Sequence, residues 1–197
     1  CTGGAGIQAD TKTLHNLSVE ACSVITAVTA QNSDGVQEIN AVSEDVLSSQ
    51  LASLEAEKKP AAIKIGMLAN EAQIMLIVDY LRQVKRAWKQ VPVIIYDPVM
   101  VASSGGLLTE DDILPVIKTE LLPLVDVLTP NIPELQKLTG VYPFSWGCFQ
   151  AAAQQLKRMG VAKVIIKGGH FDLVDTHSVD YCLDGDKEYW LASPMLN

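Results

Sequence analysis

Cys1-Thr2-Gly3-Gly4-Ala5-Gly6-Ile7-Gln8-Ala9-Asp10 crowds three glycines into a turn and sets a carboxylate just inside an apparent helix. Glycine lets backbone approach a ligand closely, and a helix start offers free N–H donors, so this stretch has the makings of a ligand-binding loop. Farther along, polar residues gather where short apolar runs end. These are Gln31-Asn32, Lys64 with Gly66-Met67, Asp97-Pro98-Val99-Met100, Thr129-Pro130-Asn131 with Glu134, and Lys167-Gly168-Gly169-His170. Two carboxylates, an amide, a lysine and a Gly-Gly turn are the inventory that holds magnesium and nucleotide phosphates without a P-loop. Taken singly, each has a structural use: Asp97 before Pro98 caps a turn, Asn131 caps a helix with Glu134 at its third position, and Lys167 snorkels from a strand end. Their joint recurrence at element ends carries the chemical reading.

The elements that must position these groups follow from periodicity. Helical patterns at about 6–17, 44–57, 70–88, 110–123 and 146–159 alternate with β-rich runs at 22–30, 61–67, 91–97, 125–129 and 162–167, a βαβ rhythm. The runs Val91–Asp97 and Lys163–Lys167 are nearly continuous and apolar, as expected when helices cover both faces of a parallel sheet. Between Asn70 and Trp88, Ile74, Ile77, Val78 and Leu81 fall on one helix face, with Arg82, Lys85 and Arg86 near the C-terminus, where the dipole favours cations. Val179–Leu183 and Glu188–Leu191 flank Asp184-Gly185-Asp186 and read as a hairpin at the sheet edge. In open α/β sheets ligands bind beyond the C-terminal ends of the strands, which is the rim where the polar residues lie. The expected fold is a three-layer, doubly wound, mostly parallel α/β sheet, with residues 1–197 as one domain.

Composition narrows the partners. A chain of 197 residues that is 48% hydrophobic can build one core of ordinary size. A net charge of −8, with no run of Lys or Arg, argues against a nucleic-acid surface, so any phosphate must be held by local donors and a metal. Asp79, Arg82 and Lys85 interrupt the most hydrophobic helix, which rules it out as a membrane span. Cys1, Cys22, Cys148 and Cys182 are scattered without CxxC spacing, the usage of a reducing cytoplasm, and His15, His170 and His177 lack zinc spacing. A glycine loop of this kind needs a strand before it, so the chain is expected to be trimmed at its start.

GGAGIQAD followed by TKT, then CSVITAVTAQN-x-x-GV, KIGM, DPVM, TPN-x-x-E and KGGH, resembles the hydroxymethylpyrimidine (phosphate) kinases of thiamine biosynthesis, members of the ribokinase superfamily. The resemblance runs over essentially the whole chain. It implies a ribokinase-like fold, here lacking the first strand and the C-terminal anion-hole segment, and a glycine loop that closes over an aminopyrimidine. Ala5 and Gly6 would back the ring, Asp10 would bond its polar edge, Gln31 would read it, and Met67 and Val99 would line the pocket. On the phosphate side, Asn131 and Glu134 would organise Mg²⁺, Asp97 would support the same region, and Lys167 would reach the phosphates of ATP. The implied reaction is in-line transfer of the γ-phosphoryl of ATP to the hydroxymethyl oxygen, and in bifunctional members to the phosphate already there. A homodimer is implied as well.

The family's Gly-Thr-Gly-Cys anion hole is expected a few residues after Ser193-Pro194-Met195-Leu196-Asn197, so the chain as given is expected to lack useful kinase activity. Without its first strand the sheet is also expected to present an apolar edge. Gly4-Ala5-Gly6-Ile7-Gln8-Ala9 also fits the G-x-G-x-x-A form of a dinucleotide fingerprint, which would make the chain an oxidoreductase, but the run Ser23–Ala30 ends in Gln31 and Asn32 rather than in an acid. A pyridoxal kinase is the nearer alternative, because its substrate is also a flat ring bearing a hydroxymethyl group; the GGAGIQAD loop and Gln31 favour the pyrimidine. An inactive, ring-binding relative would need none of Asn131, Glu134 and Lys167.

Overall fold

The computed structural model describes residues 3–32, 35–100, 113–169 and 177–194. Cys1, His170, the 110–112 start of an expected helix and Met195–Asn197 lie outside the described residues. A six-stranded sheet runs in chain order through β3 (Ala62–Ile65), β4 (Val93–Tyr96), β5 (Val127–Leu128), β6 (Lys163–Ile166), β7 (His177–Asp184) and β8 (Lys187–Pro194). β3 to β6 pair in parallel, while β7 and β8 add the expected antiparallel hairpin around Asp184-Gly185-Asp186. Ile65 lies beside Tyr96 and Tyr96 beside Leu128, so β3, β4 and β5 finish level, while β6 continues two residues past the Val164 that pairs with Leu128. Pro130 has no N–H to give a ladder, and β5 is accordingly only two residues long. The pairing resumes as a bridge between Asn131 and Lys167.

The helices form where the periodicity places them. α3 (Glu71–Ala87) starts on Asn70, whose side chain accepts from the Gln73 N–H, and buries Ile74, Ile77, Val78 and Leu81. α6 (Trp146–Arg158) buries Phe149, Ala152, Ala153 and Leu156. Between β4 and β5 the chain makes α4 (Leu114–Val116), a π turn (Ile117–Leu121) and a 3-10 turn (Leu122–Leu124), three geometries where the pattern predicts one helix. Pro115 and Pro123 each open a turn, where no intrahelical donor is required. A further helix, α5 (Ile132–Thr139), follows Asn131 and ends on Gly140, whose φ of 75° is the left-handed conformation glycine supplies without strain. Side chains from these helices and from β3 to β7 merge into one hydrophobic core.

Two expectations need correction. In β4 and β6 the burial alternates: Ile94, Tyr96, Val164 and Ile166 are buried, Ile95 and Ile165 only half-buried, and Val93 is 47% exposed. Among the described residues, then, one face of the sheet is fully packed and the other is not, an asymmetry that a continuous apolar run conceals. The run predicted at 22–30 is also not a strand of the central sheet. β1 (Ala27–Asn32) pairs antiparallel with β2 (Gly35–Ala41) in a separate two-stranded ribbon. β2 escaped the periodicity because Gln37, Glu38 and Asn40 dilute its apolar positions.

At the start of the chain, α1 (Gly6–Asn16) has no buried residue, and α2 (Glu44–Glu57), capped by Ser43, buries only Leu47. Among the described residues no helix is long and apolar enough to cross a membrane, and Cys22, Cys148 and Cys182 are free.

Candidate active site

The ends of β4, β5 and β6 bring together Asp97, Thr129 and Lys167, with Asn131 and Glu134 close by at the start of α5. Asp97 follows β4, and its Oδ1 accepts from the Lys167 ammonium at 2.7 Å and the Thr129 hydroxyl at 3.1 Å. Backbone bonds fix these positions: the Asp97 N–H donates to the Ile65 carbonyl, that of Thr129 to Tyr96, and that of Lys167 to Pro130. Asn131 and Glu134 form a capping box at the start of α5. The Asn131 side chain accepts from the Glu134 N–H at 2.9 Å, and Glu134 Oε2 accepts from the Asn131 N–H at 2.8 Å. The structural reading of Asn131 is therefore realised, and it places the Glu134 carboxylate beside the Asp97–Lys167 pair.

Electrostatics set this cluster apart from an ordinary surface. Glu134 is only 3% exposed, and burial pushes its carboxyl up to about 6, against the pull of the Asn131 N–H and Lys167 and with a further push from Asp97. The phenol of Tyr96 is held up by burial and by the charges of Glu134 and Asp97. Such a carboxylate gains from an added positive charge. Among the described residues no group of three or more His, Cys, Asp or Glu could form a cage for an ion. The donor set fits a hard cation held by one or two carboxylates, water and phosphate oxygens.

The turn beyond Lys167 leaves no room. A Cβ on Gly168 would fall 1.9 Å from the Val179 carbonyl oxygen, and the Gly168 N–H donates to Asp180 at 2.9 Å. Only glycine lets the strand end lie against β7 in this way.

The other expected residues lie on separate elements. Ala5 is the extended N-cap of α1 and makes no side-chain cap, and Gly6 follows with φ of 64°. Asp10, on α1, pairs with the Lys64 ammonium at the end of β3 at 2.6 Å. Gln31 pairs with Val36 of β2, just past the register shift that leaves Gln37 unpaired, so it arrives on the ribbon rather than on a strand end of the central sheet. Met67 follows β3, half-buried, with its carbonyl accepting from the Thr26 hydroxyl at 2.8 Å. Val99, also half-buried, donates its N–H to the Asp97 carbonyl. Sequence reasoning assigned no partner to Lys64 or Thr129, although both stood at strand ends. Asp180 carried no signal at all, since nothing in its own strand reports a neighbour twelve residues back.

A mostly parallel α/β sheet whose strand ends gather a lysine, two carboxylates and an asparagine has the ribokinase-like form of a phosphoryl-transfer enzyme. A family model described as phosphomethylpyrimidine kinase matches residues 1–197, and the chain belongs to that family. It is 39% identical to the hydroxymethylpyrimidine/phosphomethylpyrimidine kinase of Bacillus subtilis over 197 residues, 99% of this chain and 70% of that protein. Among solved structures, it is similar to the phosphomethylpyrimidine kinase of Clostridium difficile (32% identity, 96% of this chain and 78% of that one, TM-score 0.83). It is also similar to the pyridoxal kinase of Staphylococcus aureus in complex with AMP-PCP and pyridoxal (31% identity, 100% and 68%, TM-score 0.83).

Proposed function

We propose that this protein transfers the γ-phosphoryl group of ATP to hydroxymethylpyrimidine, and then to the resulting monophosphate. The observation that carries the reading is the Lys167–Asp97–Glu134 cluster at the strand ends, present in a member of a family named for this chemistry. The transfer forms a P–O bond to the substrate oxygen and breaks the bond to the leaving ADP oxygen. Little of it calls for covalent work by the protein, so positioning and charge carry the catalysis. Lys167 would exchange its contact with Asp97 for the phosphoryl oxygens and stabilise the charge that develops there. Glu134 and Asn131 would hold Mg²⁺, which when bound offsets negative charge between the phosphates. Asp10 and Gln31 would orient the ring, with Met67 and Val99 against its faces and Ala5 and Gly6 closing over it. An amide that both donates and accepts suits an aminopyrimidine edge, and leaving that pair unmade would cost about 1–3 kcal/mol. A cytoplasmic homodimer completes the proposal: the cytoplasm rests on the scattered cysteines and the dimer on the resemblance alone.

The test is a calorimetric titration of the full-length protein with hydroxymethylpyrimidine, pyridoxal and NAD⁺, followed by incubation of each binder with ATP and Mg²⁺ and mass analysis of the product. Binding of the pyrimidine with successive gains of one and two phosphoryl groups is expected. Turnover of pyridoxal in preference to the pyrimidine would move the assignment to the neighbouring kinase, and binding of NAD⁺ alone would refute it.

A further inference from the structure

Gln73, one of two buried polar residues in the described core, makes contacts that its place on a helix does not require. It is 1% exposed and stands at the third position of α3, where a side chain commonly turns back to a free N–H at the helix start. Its Oε1 does so, accepting from the Ala69 N–H at 3.1 Å. Its Nε2 points the other way and donates to the carbonyls of Thr26 and Val42, both at 2.8 Å. Those two residues are the feet of the β1–β2 ribbon, bonded to each other by the Val42 N–H and the Thr26 carbonyl at 2.9 Å. The Thr26 hydroxyl then donates to the Met67 carbonyl at 2.8 Å. One amide thus ties both feet of the ribbon that carries Gln31 to the turn that carries Met67.

We infer that Gln73 is a positioning residue for the ring pocket, fixing the ribbon relative to the turn after β3. The inference rests on the proposed pyrimidine site for its consequence, although the clamp itself does not. An amide is needed because the site demands an acceptor at one end and two donors at the other. Glutamate has the same shape and keeps the acceptor, and as a third-position helix residue it is at least as good a cap. It has no hydrogen to give the two carbonyls, so Gln73→Glu separates clamping from capping.

The experiment compares the unmutated full-length enzyme with Gln73→Glu, and with Thr26→Val, which removes only the bond to Met67. Two readouts are taken: hydrogen exchange of the amides in 27–41 against those in 93–96 and 163–166, and KM for hydroxymethylpyrimidine against KM for ATP. Gln73→Glu is expected to speed exchange in the ribbon and raise the pyrimidine KM by about tenfold or more, with core exchange and the ATP KM within about twofold. Thr26→Val should move both readouts in the same direction by less, and it decides the matter if the glutamate variant does not fold. Unchanged ribbon exchange, or an ATP KM that rises in step with that of the pyrimidine, overturns the inference. If the unmutated enzyme does not turn over the pyrimidine, the functional proposal fails by itself, and the exchange readout still decides the clamp.

Discussion

Replacing Glu134 by glutamine should remove a loss of stability that the protein suffers as pH rises to neutral, while damaging its chemistry. The folded carboxyl releases its proton at about 6, whereas an unperturbed one does so at 4.5. Between these values the folded state holds more protons than the unfolded state, so stability falls as pH rises through the interval, and the penalty is complete above it. At about 1.4 kcal/mol per tenfold change in proton affinity, the displacement amounts to about 2 kcal/mol. Glu134→Gln keeps an acceptor for the Asn131 N–H and removes the titration. Its new amide hydrogens carry their own hydrogen-bond cost, but that cost is the same at every pH and cancels in a difference. Urea unfolding of both proteins without nucleotide or divalent cation, at about pH 4 and about pH 7.5, is the assay. The variant should gain about 2 kcal/mol relative to the parent between the two conditions. A difference that stays flat across the range would show that the buried carboxyl is not strained, and the electrostatic account of the site would go with it. The same variant should raise the KM for ATP with Mg²⁺ by about tenfold or more and leave pyrimidine binding alone.

Two further changes probe other parts of the site. Lys64→Met removes the exposed ion pair that holds Asp10, the residue proposed to orient the ring; such a pair is worth about 0–1 kcal/mol, so the melting temperature should barely move while the pyrimidine KM rises about three- to tenfold and Lys64→Arg restores it, and an equal rise in the ATP KM would sink the idea that Lys64 orients Asp10 toward the ring. Gly168→Ala forces a methyl group against the Val179 carbonyl, where no side-chain rotation gives relief, and thermal unfolding should report a loss above about 2 kcal/mol; a melting temperature equal to the parent's would mean that β7 yields at that point.

The strongly periodic elements were legible in the sequence: α3 and α6 as amphipathic stripes, β4 and β6 as apolar runs, β7 and β8 as a hairpin around Asp184-Gly185-Asp186. That the candidate site residues on the sheet would share a rim was legible for a different reason, because parallel strands deliver whatever follows them to a common edge. Which of those residues would touch was not. Asp97 and Lys167 are 70 residues apart, and spacing along the chain does not record the lateral order of strands. β1 was misplaced because its own residues suit a central strand and only its partner, the polar β2, reveals the ribbon. Gln73 was invisible for a related reason: a glutamine early in a helix reads as a cap, and its second set of bonds depends on chain that lies more than thirty residues before it.

The capping box at Asn131 has one more consequence, for ion size. One oxygen of Glu134 is committed to a backbone N–H, which leaves a single oxygen to face an ion and fixes the side chain in advance. A carboxylate so tethered can bind through one atom but cannot swing to chelate through two. Ions that fill their shells with bidentate carboxylates, as calcium does, lose that option here, while a smaller ion content with one carboxylate and a retinue of waters loses nothing. Under the proposed function, a bond that begins as helix chemistry would thereby filter which metal the rim could use.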